Sequence, residues 1–222
     1  MLKIAAKIIS LLFHPLMILT YMLVLLLLAN PYLFGVSNIA EQQSKELILR
    51  VFFSTFFIPA FSVAMLRFLG FVQSLELPEK EERIGPYIIT SIFYLWLFRN
   101  FLGNSLIPTA YTTFVLGATI SLFIAFFINI FSKISAHAVG MGGLVGMVVI
   151  TMLLFSYGHF EVSLPLIGTF YLNMATVLLI VIVLAGLVGT ARLVLEAHEP
   201  MDLYGGYLIG FASQLIALRF LF

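Results

Sequence analysis

His198 and Asp202 stand four residues apart in the segment Arg192-Leu-Val-Leu-Glu-Ala-His198-Glu-Pro-Met-Asp202-Leu-Tyr-Gly-Gly206. Two side chains at that spacing meet on one turn of helix. A carboxylate on one imidazole nitrogen fixes the tautomer and raises the basicity of the other, which makes a better nucleophile or base. Asp202 is the only aspartate in the chain. Arg192 precedes the pair and supplies a planar cation with several donors, suited to clamping a phosphate.

Two other segments add to this chemistry. In Lys133-Ile-Ser135-Ala136-His137, Ser135 has the character of a helix N-cap. An anion at such a helix start meets free backbone N–H groups and a favourable dipole, and His137 stands there as a proton donor for a leaving oxygen. The stretch Glu79-Lys80-Glu-Glu-Arg83-Ile-Gly-Pro86 contributes Lys80 and Arg83. Taken alone, its mixed charges read as a solvated loop.

The elements that must carry these residues are membrane spans. The chain of 222 residues is 62% hydrophobic and only 9% charged, with a mean hydropathy of +1.15. A soluble domain is about a quarter charged, so lipid is the expected solvent. About 20 apolar residues make one span, and seven candidates fall near 8–29, 48–70, 86–102, 109–131, 138–156, 168–190 and 203–222. Such runs cross lipid as helices, because unpaired backbone groups in hydrocarbon cost several kcal/mol each. The expected fold is an all-α polytopic helical bundle of six to seven spans, one domain over 1–222. The polar stretch 30–47 reads as a surface helix, and the spans at 86–102 and 109–131 as a hairpin or a re-entrant pair. The basic N-terminus followed by a long apolar run reads as a retained first span. The net charge of +1 shows no basic stripe for nucleic acid, and the lack of cysteine excludes disulfides and zinc–thiolate sites.

Alternating the spans puts the N-terminus and the loops 71–85, 132–137 and 191–202 on one membrane face. That face holds two-thirds of the charged residues, acids as well as bases. A topological signal would select cations alone. Setting aside Lys80, Arg83, Lys133 and Arg192, the remaining cations do not favour either orientation.

At these residues the chain resembles the type-2 phosphatidic acid phosphatase family. That family's third motif, Ser-Arg-x5-His-x3-Asp with a glycine four residues on, is matched by Arg192, His198, Asp202 and Gly206, with Ala191 in place of the serine. Its second motif, Pro-Ser-Gly-His, is matched by Ser135 and His137, with Ile134 and Ala136 at the other places. In its first motif, Lys-x6-Arg-Pro, Arg83 takes the arginine position. Glu76 stands at the lysine position, Pro86 comes two residues late, and Lys80 offers a shifted cation.

The resemblance implies a phosphomonoesterase or diphosphatase that works without metal or other cofactor, its site at one membrane face. By similarity His198 attacks phosphorus, Asp202 orients it, and His137 protonates the leaving alkoxide and then activates water. Arg83, Arg192, Ser135, Lys80 and the backbone at Ala136 hold the phosphoryl oxygens. The implied substrate is a phospholipid or isoprenoid-lipid phosphate, and the expected setting is a multi-pass protein of a bacterial inner membrane. The alternative is a relative that has lost catalysis and binds or transports an anionic lipid. An ion or solute transporter ranks last, because the ionisable residues lie at one edge and no repeat is visible. His14 reads as a structural residue bonding a neighbouring helix, His159 and Glu161 as ordinary loop residues, and Glu196 and Glu199 as solvated or tuning groups beside His198.

Overall fold

Long apolar runs dictate helix, and the computed structural model of the chain is built almost wholly of helices. It describes residues 1–74, 77, 79–164 and 168–222; Glu76 lies outside the described residues. α1 (Leu2–Leu12) and α2 (Ile18–Ala29) form one bent rod. The bend has a local cause. Pro15 lacks an N–H and disfavours helical backbone in the residue before it, so His14 is extended (φ −61°, ψ 134°) and a 3-10 turn, Pro15–Met17, restarts the chain. α3 (Gln42–Phe52) passes through a π turn at Phe53–Phe57 into α4 (Ile58–Phe68). α5 (Ile84–Phe101) and α6 (Thr109–Phe131) form an antiparallel helical hairpin. α7 (Ala136–Ile150) ends in a second π turn, Thr151–Phe155, and α8 (Met174–Val194) and α9 (Pro200–Leu221) follow.

Counted as continuous rods, these are seven helices among the described residues. Five are long and apolar enough to cross a membrane: Leu2–Ala29, Gln42–Phe68, Thr109–Phe131, Ala136–Phe155 and Met174–Val194. α5 and α9 complete the bundle. The polar stretch 30–47 is not a separate surface helix. It holds a 3-10 turn, Pro31–Phe34, and the start of α3. The sixth span begins at Met174 rather than near residue 168, because β1 (His159–Leu164) and β2 (Gly168–Asn173) pair as an antiparallel hairpin ahead of it. Asn173 ends the hairpin and caps α8, its Oδ1 accepting from Ala175 N at 2.7 Å.

Helices in lipid gain little from apolar burial against each other, so close packing holds them together. α7 and α9 pack most intimately. A Cβ at Gly210 would overlap the Val139 carbonyl, and one at Gly142 would overlap the backbone of Tyr207. Near the helix starts, a Cβ at Gly206 would lie 2.8 Å from Ala138 Cβ and 3.0 Å from the Ser135 carbonyl. This contact brings the first turns of α7 and α9 side by side.

Candidate functional site

The loops that begin α5, α7 and α9 are laced together by backbone carbonyls. Arg83 Nη1 donates to the Ile134 carbonyl at 3.3 Å and its Nε to the Leu77 carbonyl at 2.9 Å. Ser135 N donates to the Asp202 carbonyl at 3.4 Å. The N-terminus joins them, with exposed Lys3 bridging Glu196 at 3.3 Å. The face on which the spans were expected to gather their charge is thus one connected surface.

Beneath it lies a cavity of about 510 Å³, within the usual size of a small-molecule site. Arg83, Arg192, Ala136, His137 and His198 all line it, together with His14. Among the described residues, none of those lining it is acidic.

His198 sits between α8 and α9, its side chain 3% exposed. Its Nδ1 is 3.2 Å from Asp202 Oδ2. A carboxylate accepts, so Nδ1 carries the proton and Nε2 keeps its lone pair. The same Oδ2 accepts from Glu199 N at 3.2 Å, and the Glu199 carboxylate accepts in turn from the backbone N–H of Asp202, a capping box that starts α9. Burial lowers the pKa of His198 from 6.5 to about 4; Arg83 and Arg192 add to that effect and Asp202 opposes it. The imidazole is therefore neutral at physiological pH.

His137 enters from the first turn of α7. Its Nε2 is 3.0 Å from the Ser10 carbonyl, so Nε2 is the protonated nitrogen and Nδ1 bears the lone pair. Ser10 also meets Arg192, whose Nη1 donates to its Oγ at 3.4 Å. His14 packs edge-on against His137, with ring centroids 5.6 Å apart, and its Nδ1 accepts from its own Leu16 N at 3.3 Å.

Two expected phosphate ligands lie elsewhere. Ser135 is the N-cap of α7 but is fully buried; its Oγ accepts from Ala138 N at 3.4 Å and does not line the cavity. The amides of Ala136 and His137 are left in the first helical turn, where no intrahelical acceptor exists. Lys80 is outside the wall, its Nζ donating to the Ile130 carbonyl at 3.3 Å. Asp202 stands behind His198 rather than in the wall.

Several residues in or beside the wall are not evident from the sequence. His14, expected to be structural, lines the cavity, and Ser10 stands behind the wall against His137 and Arg192. Tyr87 and Gln214 lie inside helices whose apolar character dominates; a buried glutamine in a span was the available signal. His159 bonds Asn173 at 3.1 Å within the hairpin. No known protein family, curated protein or solved structure matches this chain. Fold and cavity together define a polytopic helical membrane protein with a cationic, histidine-bearing cavity at one end of its bundle.

Proposed function

We propose that the chain is a membrane phosphatase of the type-2 phosphatidic acid phosphatase kind, acting on a lipid phosphate or diphosphate. The observation that carries this reading is the convergence of His198, Arg83, Arg192 and the start of α7 on one cavity, with Asp202 on Nδ1 of His198. An anion there meets two guanidinium groups and a helix N-terminus, while the apolar remainder of the cavity suits a lipid tail.

In the first step Nε2 of His198 attacks phosphorus. A P–N bond forms and the P–O bond to the leaving lipid alkoxide or lipid phosphate breaks. The leaving oxygen takes a proton from Nδ1 of His137, which takes that proton up from solvent when substrate binds, because the phosphate's negative charge favours the doubly protonated imidazolium over the neutral ring of the ligand-free protein. Water then attacks the phosphohistidine. Nδ1 of His137 accepts the water proton, inorganic phosphate leaves, and His198 is restored. Asp202 stabilises the positive charge that develops on His198 during attack. Positioning and charge stabilisation carry most of such a barrier.

The second reading, an inactive binder of anionic lipid, is favoured by the first motif: Glu76 stands at its lysine position and Lys80 does not line the cavity. Phosphate release from a panel of lipid phosphates, in detergent with chelator present, separates the two. The phosphatase requires release that vanishes in His198→Ala and His137→Ala. Wild-type protein inert on every lipid, or His198→Ala as active as wild type, would sink it.

A further inference from the structure

The cavity continues well below its cationic end, and two buried polar groups stand in its wall there. Gln214 is fully buried, and neither Nε2 nor Oε1 has a hydrogen-bond partner among the described residues. Tyr87, 8% exposed, lines the same cavity, and its Oη likewise has none. A buried polar group without a partner is destabilising, so two in one wall call for a reason.

The surrounding glycines make room for the amide. A Cβ at Gly117 would overlap the Gln214 amide, one at Gly146 would lie 3.1 Å from Gln214 Cβ, and one at Gly143 would lie 3.6 Å from Nε2. Helices α6 and α7 thus both yield space to a polar side chain in an otherwise apolar stretch. Depth follows from the helices. Tyr87 is one turn below Arg83. Gln214 is about 18 Å along α9 from Asp202 at 1.5 Å per residue, and its side chain leans back towards the helix start.

We infer that Tyr87 and Gln214 form a second subsite in the cavity, which donates hydrogen bonds to carbonyl oxygens on a lipid whose phosphate lies at the cationic end. This rests on the lipid-phosphate reading of the site. The ligand class is an ester- or amide-linked acyl lipid phosphate. Both groups offer a donor, Oη–H and Nε2–H, and a carbonyl is a good acceptor. An ether oxygen is a poor one, and a polyprenyl tail has none. The subsite therefore selects the linkage between headgroup and chain, independently of the phosphate contacts.

The test uses full-length protein and three probes: a diacylglycerol phosphate, its dialkyl ether analogue of equal chain length, and a prenyl phosphate. Binding is measured by native mass spectrometry on His198→Ala protein, which removes turnover; release of phosphate is measured in parallel on protein with His198 intact. The diacyl lipid should bind about tenfold more tightly than the diether, the worth of one to two hydrogen bonds. Gln214→Leu and Tyr87→Phe should each reduce that ratio, and the double variant should bring it to about one. Because Gln214 loses no protein partner, Gln214→Leu should fold with a Tm no lower than wild type; Gln214→Met gives a second variant of similar length. Equal binding of diacyl and diether lipids overturns the subsite, as does a preference that survives in the folded double variant. A preference without phosphate release in any lipid keeps the subsite and refutes the phosphatase. Release without a preference does the reverse.

Discussion

Nε2 of His137 donates to the carbonyl of Ser10 across 3.0 Å. In an unbroken helix that carbonyl would accept from His14 N. His14 is extended because Pro15 follows it, so the carbonyl is left for the imidazole. The break in the first span and the tautomer of His137 are one arrangement.

Pro15→Ala should restore helical competition for the Ser10 carbonyl and loosen His137. Under the proposed reaction, kcat falls about tenfold, the worth of one hydrogen bond, while KM for the lipid changes little. Steady-state kinetics on matched lipid vesicles would check this, and an unchanged kcat would remove the Ser10 carbonyl from the argument.

Asp202→Asn should act on both chemistry and fold. Loss of the carboxylate on Nδ1 is expected to lower kcat by about 10²–10⁴-fold, as when another histidine is left in the wrong tautomer. Its contact with Glu199 N should be largely retained, since an asparagine oxygen caps nearly as well. Asp202→Ala removes the cap too, costing a further ~1 kcal/mol of stability. A thermal melt of the two variants separates these effects.

The pH dependence has a definite sign. His198 titrates lower in the fold, at about 4, than its ordinary 6.5. The unfolded chain therefore binds this proton first as pH falls, so its contribution to stability is present above 6.5 and is lost progressively down to about 4. Activity through neutral His198 should persist at pH 5 and fail as pH drops through about 4. Arg83→Met removes a neighbouring cation and should raise the His198 pKa, read directly by NMR titration of labelled histidine; a downward shift would contradict the electrostatics described.

Lys80→Ala should leave phosphate release within about twofold of wild type, since Lys80 lies outside the cavity wall. Gly206→Ala should not be so mild. Its Cβ meets Ala138 and Ser135 between the two helix starts, and overpacking of this kind costs about 1–3 kcal/mol. Its Tm should fall, with activity falling alongside because His137 and Asp202 ride on the helices that are pushed apart.

The parts of the site that were legible in the sequence are those fixed locally. The four-residue spacing of His198 and Asp202 foretells their meeting, although His198 stands just ahead of the cap Glu199, outside α9, rather than on a turn of helix; the Ser135 cap follows from its place before an apolar run. Span alternation brought the three loops to one face, because lipid leaves helices almost no other course. What stayed hidden depends on packing between distant segments. Lys80 is drawn to the Ile130 carbonyl rather than the cavity. Ser10 meets His137 across more than a hundred residues. Of the β-hairpin, β1 falls in an expected loop and β2 inside the expected span 168–190, because residues such as Phe170, Tyr171 and Leu172 are apolar enough to count towards hydropathy. Gln214 was lost for the opposite reason, being a single polar residue in a long apolar helix.

One oxygen, Oδ2 of Asp202, serves both His198 and the first turn of α9. Natural selection acting only on the integrity of that helix would disfavour many replacements at 202, whether or not any substrate is still turned over. A descendant that abandoned its reaction could carry the aspartate for generations as a relic of architecture. The first position to drift would then be His198, which the helix does not need.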